Sequence, residues 1–142
     1  MIIDKNLLLS DAQAFAATAV STNSVDLGAA NLEVGTGEEI GIGMAVGVTA
    51  FASGTYVLEA LSDDVNTLAS PTVLATRTIL AAALTAGSLH FLEIPIGTPI
   101  ERYIGARLTL GGTTPTITAD LFVTSRRMFS KIAKSYPKNY AT

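Results

Sequence analysis

The sequence contains no cysteine, which excludes a disulfide scaffold, a thiolate zinc site and a thiol nucleophile together. It has no tryptophan and a single histidine, His90. An indole platform for stacking sugars is therefore missing, as is the histidine-rich metal set of a cupin-like enzyme. Charged residues make up only 15% of the chain, against roughly 25% in an average soluble protein, so much of the surface is neutral or covered. Long apolar runs are also lacking. The longest, residues 40–52, is 13 residues with three glycines inside it, short of the roughly 20 that a membrane helix requires, and no membrane partner is expected. In the opening "MIIDKNLLLSDAQ", Asp4 comes early and the run Leu7 to Leu9 is too short for the apolar region of a signal peptide, so secretion by that route is not expected. No Asn-x-Ser/Thr sequon occurs, which fits a protein made and kept in a cytosol.

What is present is a chain of 142 residues, 49% of them hydrophobic, the size of one ordinary domain (residues 1–142) with a core of small aliphatic side chains. The period of its apolar residues is 2. In "EEIGIGMAVGVTA", Ile40, Ile42, Met44, Val46 and Val48 alternate with Gly41, Gly43, Ala45, Gly47 and Thr49, the pattern of a strand with one buried face. Further strands are predicted at Thr55–Asp63, Thr72–Leu80, Leu89–Ile96, Arg102–Leu110 and Thr116–Thr124, with weaker ones at Ala14–Ala19 and Ser24–Leu27. Gly, Asn, Asp and Pro clusters separate them. Seven or eight short strands at this spacing predict an all-β sandwich, barrel or jelly roll. "ILAAALTAG" is ambiguous between strand and helical turn. The stretch "LTLGGTTPTITADLFV", residues 108–123, reads as two strands with a common apolar side joined by a turn, so the two are expected to pair as a hairpin.

Candidate chemistry is sparse. "GTGEEIGIG" places Gly35, Gly37 and Gly41 as G-x-G-x-x-x-G, with no Lys-Ser/Thr after it and with Glu38 and Glu39 where a phosphate would sit, so no nucleotide site is expected. His90 has Ser88 and Glu93 nearby in sequence but no nucleophile elbow around it, and it reads as a half-exposed strand histidine. The pairs Asp63-Asp64 and Glu38-Glu39 lack the spacing of a calcium loop. No catalytic residue, cofactor or metal is expected, and function is assigned to surfaces.

Two surfaces stand out. Gly41, Gly43 and Gly47 leave one face of their strand nearly bare; either the second sheet approaches closely there or another subunit does. The other is the C-terminal segment 125–142. All 12 acids precede residue 125, against four basic residues there (Lys5, Arg77, Arg102 and Arg107), a formal charge of -8; Arg126, Arg127, Lys131, Lys134 and Lys138 follow it, giving +5. Tail and body therefore attract each other as well as outside partners. Phe129, Ile132 and Ala133 fall at helical spacing, opposite Lys131 and Lys134, which allows a short amphipathic turn before Pro137. With Tyr136 and Tyr140 the segment has the composition of a protein interface, or it is a loosely packed terminus. Nucleic acid is not an expected partner, because the basic charge is confined to this tail.

In whole segments the chain resembles the capsid cement, or decoration, proteins of short-tailed bacteriophages. The resemblance lies in "MIIDKNLLLSDAQAFAATAVSTNSVDLG", "GTGEEIGIGMAVGV" and "RYIGARLTLGGTTPTITADLFV", in that order. It implies a jelly-roll β-sandwich of about eight strands with a short C-terminal tail. It further implies a homodimer on the outside of an icosahedral head, made in the host cytoplasm, that clamps neighbouring major capsid proteins. The alternative is a carbohydrate-binding jelly-roll module of a phage tail or fibre.

Overall fold

A computed structural model of the chain describes residues 4–29, 32–33, 39–50, 54–112 and 115–135. In chain order the elements are β1 (Leu8–Phe15), β2 (Ala19–Val20), β3 (Val25–Asp26), β4 (Leu32–Glu33), β5 (Ile40–Ala50), β6 (Thr55–Asp63), β7 (Thr72–Leu80), β8 (Leu89–Glu93), β9 (Pro99–Ile100), β10 (Tyr103–Leu110), β11 (Thr116–Ser125) and the helix α1 (Arg126–Ser135).

The long strands form two antiparallel sheets. One runs β1-β11-β5-β8; the other runs β2-β10-β6-β7, with β3 also on β10. The pairing is nested. β1 meets β11, β2 and β3 meet β10, β5 meets β8, and β6 meets β7. First-with-last pairing distributed over two sheets is the jelly roll. Among the described residues the regular structure is all β apart from α1 and two single turns of 3-10 helix, Lys5–Leu7 and Ala81–Ala83. The second of these resolves the ambiguous alanine-rich segment.

Alternation puts the core between the sheets. Tyr56, Leu58 and Ala60 of β6 lie opposite Leu110, Leu108 and Ala106 of β10, and Ile42, Met44 and Val46 of β5 lie opposite Val123, Leu121 and Ala119 of β11. These inner faces form one apolar cluster, all of it buried except the partly buried Leu110. It supplies most of the driving force, at roughly 25 cal/mol per Å² of apolar surface removed from water.

Two expectations are corrected. Residues 108–123 are not a hairpin: β10 pairs with β6 and β11 with β5 and β1, in different sheets. Their common apolar side is real, because both face the same core, but they reach it from opposite layers. The first strand is also earlier than Ala14–Ala19. β1 spans Leu8–Phe15 with register shifts between Leu8 and Ser10 and between Ser10 and Gln13. Ala12 has φ 45, and its N–H donates to Asp120 Oδ1 at 2.6 Å. A bulge of this kind breaks the period of 2 on which strand recognition rests.

Candidate functional site

The outward face of the β1-β11-β5-β8 sheet brings both predicted surfaces together. Gly43 lies directly opposite Phe122 on one side and Phe91 on the other. A Cβ on Gly43 would overlap the Phe122 ring, and one on Gly41 would lie 2.7 Å from Phe91 Cζ and overlap the Leu92 carbonyl oxygen. Gly41 and Gly43 are buried, as are both phenylalanines. Their bareness serves the subunit itself: the space above them holds aromatic rings from the neighbouring strands, neither the second sheet nor an open surface. Gly47 is exposed, and a Cβ there would meet the Thr118 carbonyl oxygen at 3.2 Å.

Within the segment after residue 125, Arg126–Ser135 form the helix α1, folded onto this face. Ser125 Oγ accepts from Met128 N at 3.2 Å, an N-cap contact that satisfies one of the free first-turn donors. The first turn holds no acid, although a helix N-terminus favours negative charge. The acids come from the sheet instead. Arg126 Nε is 2.8 Å from Glu39 Oε2, and its Nη2 is 3.1 Å from Glu93 Oε2. Arg126 N also donates to the Glu39 carbonyl oxygen at 2.8 Å. The guanidinium stands 5.7 Å from the Phe91 ring centroid, and the Phe129 ring lies 5.1 Å from Phe91, tilted by 33°. Each exposed ion pair is worth at most about 1 kcal/mol; the aromatic contact adds about 0.5–1.5 kcal/mol beyond its burial. Arg127, Met128, Ser130 and Lys131 are exposed. Lys134 lies in the last turn of α1; Tyr136 and Tyr140 lie outside the described residues.

Glu39, Glu93, Phe91 and Phe122 were not among the predicted site residues. The opposite charges of tail and body pointed toward such a contact, but only the register of β5 between β8 and β11 puts the two rings over the glycines.

Several polar groups elsewhere are tied within the subunit. His90 is 8% exposed, buried and not half-exposed. Burial lowers its pKa below 6.5, the Arg77 charge lowers it further, and a backbone hydrogen bond to Ala83 opposes both. Nε2 lies 3.0 Å from Ser88 Oγ. Glu93, its other neighbour in sequence, holds Arg126. Arg77 Nη1 donates to the Phe91 carbonyl oxygen at 2.6 Å, across the open side of the sandwich. Arg107 pairs with Glu59 at 2.6 Å, and Arg102 pairs with Asp26 at 2.8 Å. The Arg102 hydrogen bond, with the Gly28 N–H, holds the Asp26 carboxyl at about 2.

Asp63, Asp64 and Glu101 each bring a carboxylate oxygen within 4.8 Å of the others. They are the one acidic trio among the described residues with metal-ligand spacing. Asp63, 2% exposed, already accepts from Val65 N at 3.3 Å and Ser70 N at 2.9 Å. Burial pushes its pKa up, and these donors outweigh that and keep it below 3.8. Its chemistry is that of a turn organiser, holding the β6–β7 loop, from which Leu68 lies over Gly105.

No helix among the described residues is long and apolar enough to cross a membrane. Comparison with curated proteins returns no match. A family model, Bbp16, matches residues 9–124, from the start of β1 to the end of β11. With the match running through every strand of the sandwich and most of the sequence, the chain belongs to the Bbp16 family.

Proposed function

We propose that the chain is a capsid cement protein, a structural part of a phage virion that binds the outside of an icosahedral head as a homodimer and clamps neighbouring major capsid proteins. In this reading it is not an enzyme, uses no cofactor, and binds neither nucleic acid nor membrane. The observation that carries the reading is the ordered basic helix on an acidic body. Arg77, Arg102, Arg107 and Arg126 are engaged within the subunit, while α1, docked through Phe129, turns Arg127 and Met128 to solvent. A fixed helix bearing a cation and a flexible apolar side chain fits an acidic patch on a protein shell. The whole-segment resemblance to cement proteins and the jelly-roll topology support the same reading.

The carbohydrate-binding alternative lacks a platform among the described residues. Tyr56 is buried, and the Tyr103 ring has Arg102 over it at 5.3 Å. The test is co-sedimentation with phage heads stripped of this protein, using the full chain, Arg127→Glu and a chain ending at residue 125. The full chain is expected to co-sediment, and both variants to bind more weakly, with the difference shrinking as salt rises past about 0.15 M. Absence of head binding by the full chain overturns the reading.

A further inference from the structure

The sandwich leaves four strand edges, and three of them carry a device that blocks further pairing. β1 is kinked by its bulge, where Asp120 takes up the Ala12 N–H. The edge opposite β6 on β10 is broken into two pieces, Ala19–Val20 and Val25–Asp26. β8 is only five residues long and is followed by Pro95, and its Phe91 carbonyl already accepts from Arg77. Such guards are how natural sheets avoid unwanted strand addition.

β7 has none of them along Ala75–Leu80. This stretch pairs on its inner side with Thr55–Ala60 without a break, the one register shift lying beyond it between Ala60 and Leu61. It contains no Pro, Lys, Asp or Glu. Its single charge, Arg77, is turned to the Phe91 carbonyl. Val73 and Leu80, at and beside its ends, are 42% and 64% exposed. An unbroken edge of this length, free of acids and with its one cation held at the Phe91 carbonyl, is a template for another strand.

We infer that β7 pairs with β7 of a second copy, antiparallel across a two-fold axis, joining the two β2-β10-β6-β7 sheets into one. This rests on the dimer reading above and says where the dimer forms. The occupant is a second copy for two reasons. An antiparallel strand edge is complementary to itself under a two-fold rotation, so one surface supplies both halves. A body with 12 acids and four cations before residue 125 repels its own copy wherever acids meet acids, whereas Ala75–Leu80 brings no acid to the axis, holds its one cation, Arg77, on the Phe91 carbonyl, and offers Thr and β-branched cross-strand pairs.

The test is sedimentation velocity over a concentration series for the full chain, a Thr76→Lys/Thr78→Lys variant and a control, Ala14→Lys/Ala16→Lys, on the β1 side. Both variants change exposed residues, and circular dichroism checks their fold. Hydrogen exchange of the unmodified chain is followed over the same series. The expected result is a dimer whose dissociation constant rises at least about tenfold in the β7 variant and stays within about twofold in the control, with exchange at residues 75–80 slowing as concentration rises. A dimer indifferent to the β7 substitutions, with unchanged exchange there, overturns this inference and leaves the dimer itself standing. A chain that stays monomeric at its highest soluble concentration overturns both. A monomeric chain whose β7 variant alone fails to bind heads assigns the edge to the capsid protein and equally overturns it.

Discussion

A Cβ on Gly43 has nowhere to go but into the Phe122 ring, and Phe122 is itself buried. Gly43→Ala is therefore expected to cost about 1–3 kcal/mol, the range for overpacking a closed layer, measured by urea unfolding. Adding Phe122→Leu to Gly43→Ala is expected to cost less than the two changes summed, because the smaller side chain vacates the space that the methyl group enters. His90 makes a second prediction at this scale. Its folded pKa lies below 6.5, so just below that pH the unfolded chain binds more protons than the folded one. Stability is then fully present above about pH 6.5 and falls as the pH drops. Asp26 and Asp63, with carboxyls held below 3.8, act only in a more acid window. Urea midpoints measured from about pH 7 to about pH 5 are expected to decline in the unmodified chain and to stay flatter in His90→Gln.

Among the elements, α1 is held on its sheet by Arg126, paired with Glu39 and Glu93, and by Phe129 on Phe91. Arg126→Glu would set a third carboxylate beside Glu39 and Glu93. The two ion pairs would become repulsions, and α1 is expected to leave the sheet. Limited trypsin digestion is the measurement: cleavage after Arg127 and Lys131 is expected to be faster in Arg126→Glu than in the unmodified chain, with β1 to β11 remaining intact. Raising salt is expected to speed cleavage of the unmodified chain only in part, since Phe129 on Phe91 is not screened. Had the segment been a loose terminus, neither change would alter the rate.

For the whole molecule, nesting sets the folding problem. Leu8 pairs with Phe122 and Phe15 with Ile117, so the outermost pair closes only when nearly the entire chain is in place. Loop-closure entropy must be met before such contacts form, and chains dominated by non-local pairing fold in milliseconds to seconds. Stopped-flow refolding is expected to fall in or beyond that range. Deleting residues 1–15 is expected to prevent folding, because it strips β11 of β1 and opens the core at Leu9 and Phe15; circular dichroism and gel filtration would show it.

Alternation was legible wherever a strand kept its period of 2. The expected strands Thr55–Asp63 and Thr72–Leu80 coincide with β6 and β7, and Thr116–Thr124 falls one residue short of β11. The all-β class followed from the same pattern, and the charge division of the chain indicated that tail and body attract. β1 escaped because its bulge and the Ala12 conformation break the period, and His90 because one residue's burial depends on which strands lie beside it. The pairing of residues 108–123 was misread for the same reason. Side-chain alternation reports which face of a strand turns to the core and is blind to which strand lies next to it. Inward faces from two sheets look identical to inward faces from one hairpin. Only the tertiary structure decided that β10 and β11 lie in separate layers, that β5 sits between Phe91 and Phe122, and that the space over Gly41 and Gly43 is filled from within the subunit, because each of these is a relation between residues far apart in the chain.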